Sequence, residues 1–215
     1  MVAEVDAAMV DAVVFDVGNV LIEWDPRHLY RRVFTNDDGT PDEARVAWFL
    51  AEVCHPGWNL EQDRGRSIAD AEAEALSRHP ELGPAIRSFY GRFQTMIPGA
   101  IAGSVAVLEA LKAAGMPVHG LTNFSAETFA PTCRRFAFLN RFDNVVVSGT
   151  ERVVKPDPRI FEILIERAGL TPSRTAFVDD SPANVEAARR LGFHAHRFEG
   201  AAGFRDWLKA LGAPV

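Results

Sequence analysis

Asp16 ends the apolar run Ala12-Val13-Val14-Phe15 and is followed by Val17-Gly18-Asn19-Val20-Leu21. A carboxylate at a strand tip, with an ordinary pKa of about 3.9, is ionised at neutral pH without an activating base. In line with a phosphorus or a carbon bearing a leaving group, it can attack and form a covalent intermediate. Three later segments follow apolar runs of their own: Thr122-Asn123, Lys155-Pro156-Asp157 and Asp179-Asp180. Gly18 and Asn19 can turn the chain and aim backbone N–H groups at an anion. The Thr122 hydroxyl and nearby amides can hold phosphate oxygens without adding charge. Lys155, stiffened by Pro156 and Pro158, can neutralise charge as it builds in a transition state. Asp179 and Asp180 repel one another unless a cation or hydrogen bonds compensate them, and a magnesium ion is satisfied by one or two carboxylates plus a phosphate. Each has a plainer reading as a turn, a helix cap or a solvated charge. In register, they describe a site that binds and attacks a phosphate.

The elements that must position these groups follow from periodicity. Apolar residues at Ile101, Val105, Leu108 and Leu111 predict a helix to Ala114, capped by Gly115. Val118 to Leu121 reads as a strand, and Ser125 as the cap of a helix over 126–136. Val145 to Val147 reads as a short buried strand. Asp157-Pro158 starts a helix that runs to Gly169. Thr175 to Val178 is a strand, Ser181-Pro182 a second cap-and-proline start for 183–191, His194 to Phe198 a last strand, and Phe204 to Leu211 a terminal helix. Strands alternating with helices imply a parallel sheet covered on both faces, with ligands beyond the carboxyl ends of its strands. From Asp25 to Pro98 no strand run appears. Breaks at Asn36–Pro41, His55–Gly57 and His79–Pro84 predict about four helices inserted after the first strand.

Composition sets bounds. The chain has 215 residues, 47% of them hydrophobic and 24% charged, which is ordinary for a globular protein of one large domain or a domain plus an insert. A net charge of −6 argues against a nucleic-acid partner. No run reaches the roughly 20 apolar residues of a membrane span. Acidic Glu4, Asp6 and Asp11 leave no basic leader, and Cys54 and Cys133 form no CxxC, so a reduced, cytoplasmic protein is expected.

Asp16-Val-Gly-Asn-Val, Thr122-Asn, Lys155-Pro-Asp-Pro and Val-Asp179-Asp180-Ser-Pro-Ala-Asn resemble, in order and spacing, the four motifs of the haloacid dehalogenase-like superfamily. The resemblance implies an α/β fold: a Rossmann-like three-layer core with a parallel sheet over residues 1–22 and 99–215, plus an inserted all-helical cap domain over 23–98. It implies Asp16 as nucleophile, Gly18, Asn19, Thr122, Asn123 and Lys155 around the phosphate, and Mg²⁺ held by Asp16, the Gly18 carbonyl, Asp179 and Asp180. The expected activity is hydrolysis of small phosphorylated metabolites through an aspartyl-phosphate, by a monomer or homodimer. The first motif is most similar to sugar-phosphate phosphatases.

One departure matters. Phosphatases of this family usually carry a second Asp two residues after the nucleophile, as general acid and base, and here that position is Gly18. Such catalysis is worth about 10²–10⁴-fold, or roughly 3–5 kcal/mol. Its absence favours good leaving groups, and Asp25 is a candidate substitute acid. For substrate choice the insert offers Trp24, His28, Trp58, Asn59, Asp63 and Arg64. Trp58 can stack on a ring and Arg64 can pair with a second anion; otherwise the tryptophans fill the insert's core and Arg64 lies outside. Two rivals stand: a metal-independent 2-haloacid dehalogenase, against which the Asp179-Asp180 pair argues, and a non-catalytic phospho-ligand binding protein.

Overall fold

The computed structural model describes residues 10–215. The expectations for Glu4, Asp6 and the first nine residues of the core therefore lie outside the described residues. Five strands, β1 (Ala12–Phe15), β2 (Val118–Thr122), β3 (Asn144–Val147), β4 (Thr175–Asp179) and β5 (His194–Arg197), form one parallel sheet in the order β3-β2-β1-β4-β5. Strand β1 lies at its centre and is buried throughout. Alternation along the strands sends Val13, Phe15, Ala176 and Val178 into one apolar cluster, and Val14, Leu121, Val146 and Phe177 into another. The second cluster is closed by α9 (Pro158–Ala168), through Ile160, Phe161 and Leu164, and by α10 (Pro182–Arg190), through Ala187 and Ala188. On the opposite face α6 (Ala102–Ala113) contributes Val107, Leu108 and Leu111, and α11 (Ala201–Ala210) Phe204 and Leu208. Apolar runs covered on both faces are what a parallel sheet requires. Among the described residues no helix is long and apolar enough to cross a membrane.

Between β1 and α6 lie five α-helices rather than four: α1 (Arg27–Val33), α2 (Glu43–Glu52), α3 (Pro56–Asp63), α4 (Ile68–Arg78) and α5 (Gly83–Gly91). The break at His55–Gly57 separates α2 from α3 and takes in the start of α3. The His55 side chain accepts from the Trp58 N–H at 3.1 Å and Pro56 occupies the first turn. The break that composition does not flag is at Arg64–Ser67, where Gly65 takes φ +94° and Ser67 caps α4. Tyr30 packs its ring at a tilt against Phe49 and Phe89 within the insert, and all three belong to the same apolar cluster as Phe15 of the sheet. The insert thus shares its core with one face of the sheet.

Two local expectations change. Ser181 makes no side-chain cap to α10; its N–H instead donates to Asp179 Oδ1 at 2.9 Å. Lys155 is not at a strand tip, because α8 (Ser148–Glu151) and a turn separate it from β3. A Cβ on Gly149 of α8 would lie 2.5 Å from the Ala126 N and 2.8 Å from the Phe124 carbonyl. Only glycine permits that approach, which locks α8 against the turn that follows β2.

Candidate active site

The ends of β1, β2 and β4 meet the Lys155 turn above the sheet. The Asp16 N–H extends the ladder to the Val178 carbonyl at 2.9 Å, which fixes the Asp16 backbone. Asp16 Oδ1 accepts from the Val17 N–H at 2.7 Å and lies 2.9 Å from Lys155 Nζ. No hydrogen bond from the described residues reaches Oδ2. One oxygen is therefore held and the other is available to attack.

The turn after Asp16 is made by Asn19, not by Gly18. Asn19 adopts φ +55°, a region asparagine tolerates, and its N–H donates to the Ile22 carbonyl at 2.7 Å. Gly18 is not in the left-handed region, and a Cβ built there would meet nothing within 4 Å. Its missing side chain leaves space rather than relieving strain. Asn19 Oδ1 accepts from the Trp24 N–H at 3.0 Å, and its side chain also reaches Asp180, favouring that carboxylate's charged form.

Thr122 ends β2 with its hydroxyl buried and without a partner among the described residues. Beside it Asn123 and Lys155 bond reciprocally: Asn123 Nδ2 donates to the Lys155 carbonyl at 3.0 Å, and the Lys155 N–H donates to Asn123 Oδ1 at 2.8 Å. The Lys155–Pro156 peptide is cis. The ammonium, 3% exposed, donates to the Leu121 carbonyl at 2.7 Å and to Asp179 Oδ2 at 2.6 Å. Asp179 is fully buried, and both its oxygens also accept from Asn184 Nδ2, at 3.0 and 3.1 Å. Asn184, the last residue of the fourth motif, is a site residue to which the sequence reading gives no role. Its signal was its place five residues after Asp179, on the first turn of α10.

Charge is crowded here. Asp16, Asp179 and Asp180 bring carboxylate oxygens within 4.8 Å of one another, against one ammonium. Burial pushes Asp16 up to about 7; Lys155 opposes the shift, and Asp179 and Asp180 add to it. The carboxylate that reads as ionised in a free chain is thus costly to ionise in place. Burial alone would lower Lys155, but Asp16 and Asp179 together outweigh it and raise it. Burial, then Asp179, raises Asp180. Three oxygen-donor carboxylates with a charge deficit are the donor set that a hard divalent cation prefers.

A cavity of about 200 Å³ opens over this cluster. Its floor carries Asp16, Gly18, Asn19, Asn123, Lys155 and Asp180; Thr122 and Asp179 lie buried outside its lining. The insert closes it with Trp24, Asn59, Asp63, Tyr90 and Phe93. Of the residues expected to select substrate, His28, Trp58 and Arg64 do not line it. Trp58 is 4% exposed, packs on Phe89 and Tyr90, and donates Nε1–H to the Ala71 carbonyl at 3.2 Å. Arg64 is exposed and pairs with Glu61 at 2.8 Å. Asp25, the candidate substitute acid, does not line this cavity. Its Oδ1 accepts from the Arg27 N–H at 2.8 Å, beginning α1, and it lines a neighbouring cavity instead. The carboxylate in the cavity's roof is Asp63, which burial pushes up to about 7 against the pull of the Ser125 N–H.

Residues 10–192 match the haloacid dehalogenase-like hydrolases. A phosphatase of Mycobacterium tuberculosis is 29% identical over 219 residues, covering 95% of this chain and 96% of its own length. A phosphorylated carbohydrates phosphatase of Thermotoga maritima is 24% identical over 196 residues, 85% of this chain and 82% of the relative. Acyl-CoA dehydrogenase family member 10 of Mus musculus is 40% identical over 88 residues, 39% of this chain, which spans only 8% of that protein. A solved HAD-like family hydrolase from Porphyromonas gingivalis superposes with a TM-score of 0.74 at 26% identity, covering 95% of this chain and 98% of its own.

Proposed function

The chain belongs to the haloacid dehalogenase-like hydrolases, and we propose that it is a Mg²⁺-dependent phosphohydrolase of small phosphorylated metabolites, sugar phosphates among them. The observation that carries this reading is the single buried ammonium of Lys155 between Asp16 and Asp179, beside a third carboxylate. Such a cluster suits an oxyanion and a cation together, and it has little use for a neutral ligand.

Asp16 Oδ2 attacks phosphorus while Oδ1 stays fixed by Val17 and Lys155. Lys155 offsets the charge that gathers on the transferring group, and the Thr122 hydroxyl supplies a hydrogen bond to it. Asp16, the Gly18 carbonyl, Asp179 and Asp180 would hold Mg²⁺, which when bound supplies positive charge to the phosphate oxygens. Phosphoryl transfer rests on such positioning and neutralisation. The insert, residues 23–98, acts as a cap that encloses the reaction. At about 200 Å³ the cavity is smaller than the roughly 300–1,000 Å³ of drug-sized ligand sites, so the leaving group is small. The two free cysteines fit a reducing cytoplasm, and the protein acts as a monomer or homodimer on a small molecule rather than on nucleic acid or membrane.

The experiment is a screen of phosphate monoesters with Mg²⁺, then with EDTA, then with Asp16→Asn. Turnover that stops with EDTA and with Asp16→Asn, in a protein that still melts cooperatively, supports the reading. Dehalogenation of a 2-haloacid that survives chelation would replace it.

A further inference from the structure

Five ionisable side chains line the cavity among the described residues: Asp16, Asp63, Tyr90, Lys155 and Asp180. Asp16, Lys155 and Asp180 are engaged in one charged cluster on the floor. The Tyr90 hydroxyl donates to Asn59 Oδ1 at 2.9 Å, and burial raises its pKa far above neutrality. Asp63 is the one carboxylate of the five that lies outside that cluster, and it sits in the roof. In-line displacement places the leaving oxygen on the side of phosphorus opposite the attacking atom. With Asp16 in the floor, that oxygen points toward the insert.

We propose that Asp63 is the general acid and base of this enzyme, supplied by the insert in place of the side chain that Gly18 lacks. The proposal rests on the phosphohydrolase reading and adds a residue to it. As Asp16 Oδ2 bonds to phosphorus and the phosphorus–oxygen bond of the ester breaks, the Asp63 proton passes to the departing oxygen, which leaves as a neutral alcohol. Water then attacks the aspartyl-phosphate and gives its proton to the Asp63 carboxylate. The bond to Asp16 breaks and hydrogen phosphate departs, restoring both side chains.

A directed chain of hydrogen bonds prepares Asp63 for this. Arg66 Nε donates to Gln62 Oε1 at 2.8 Å, Gln62 Nε2 to the Tyr90 hydroxyl at 3.0 Å, Tyr90 to Asn59 Oδ1, and Asn59 Nδ2 to Asp63 Oδ2 at 3.2 Å. Every donor points the same way, so the Asn59 amide has one consistent orientation. Asp63 Oδ2 is then an acceptor, with its orientation fixed by Asn59. Facing Asp63 are Asn59 on its own helix, Tyr90 from α5, the Ser125 N–H from the core and, across the cavity, Asp16, Lys155 and Asp180. Burial raises Asp63 to about 7, near the operating pH at which acid–base catalysis is most effective.

The test compares kcat/KM for p-nitrophenyl phosphate, whose leaving group departs as a stable anion, with n-propyl phosphate, whose leaving group needs a proton and has no hydroxyl to recognise. Asp63→Asn should lose about 10²–10⁴-fold more on the propyl ester than on the aryl ester. In the wild type, propyl ester hydrolysis should fall as pH rises through about 7, and aryl ester hydrolysis should not share that limb. This second comparison needs no variant to fold. Equal losses on both esters, or identical pH profiles, would overturn the role of Asp63 while leaving the phosphatase reading intact. A wild type inactive on every phosphate ester would overturn both.

Discussion

Lys155 Nζ lies 2.9 Å from Asp16 Oδ1, with both side chains buried, and the same ammonium lies 2.6 Å from Asp179 Oδ2. One cation therefore serves two buried anions. Removing it leaves both without compensation, which for a buried pair costs about 3–5 kcal/mol. Lys155→Met should lower the urea midpoint accordingly and abolish turnover. The same substitution in an Asp16→Asn background should cost less, because one of the stranded charges is already gone. Equal costs in the two backgrounds would show that Lys155 and Asp16 are not coupled.

Asn123 serves Lys155 rather than the substrate alone. Its amide grips the Lys155 backbone from both sides, at 3.0 and 2.8 Å. Asn123→Ala should free the lysine turn, costing about 1–3 kcal/mol in stability. Displacement of the ammonium by about 1 Å should reduce kcat on the order of 10²-fold. Asn123→Asp keeps the acceptor but faces a carboxylate toward the Lys155 carbonyl, and should be no better. A rise in KM alone, with kcat and the melting temperature unchanged, would assign Asn123 to substrate contact instead.

Gly18 has room for a side chain. A Cβ there meets nothing within 4 Å, and the backbone is not left-handed. Gly18→Asp should fold with an unchanged melting temperature and raise turnover of alkyl phosphates relative to aryl phosphates, by supplying a second acid beside Asp16. In an Asp63→Asn background it should restore part of the lost alkyl ester activity. No gain in either background would mean that the loop does not aim position 18 at the leaving group.

The sheet and its site were readable for one physical reason. A buried strand must be apolar, so a polar residue at its end stands out, as Asp16 and Asp179 do after Phe15 and Val178. Helix starts were visible where side chains bond locally: Asp157 does accept from the Arg159 N–H, and Ser125 from the Glu127 N–H. Ser181 does stand at the N-cap position of α10, but its side chain accepts no helix N–H and its own N–H is held by Asp179 Oδ1, a contact that propensity does not register. The insert was less legible. Trp58, Asn59, Asp63 and Arg64 lie within two turns of α3, yet Trp58 packs inward, Arg64 meets solvent and only Asn59 and Asp63 face the cavity. Which face turns inward depends on α4 and α5 packing against α3, and that is long-range information. Asp25 is nearer Asp16 in sequence than Asp63 is, but the α1 N-terminus claims its carboxylate first.

Keeping an acid such as Asp63 largely buried carries a stability consequence with a definite sign. Its pKa is raised from the ordinary 3.8 to about 7, chiefly by burial. Between those values the folded protein binds a proton that the unfolded chain has lost, so this group's contribution to stability falls as pH rises through the window and is constant above it. Asp63→Asn is neutral at every pH and escapes the penalty. The variant should therefore melt higher than the wild type, with a gap that is small near pH 4, widens toward pH 7 and levels off beyond. Thermal denaturation of both proteins across that range measures it. A gap independent of pH would mean that Asp63 titrates alike in both states, and would remove its suitability as a proton donor at neutral pH.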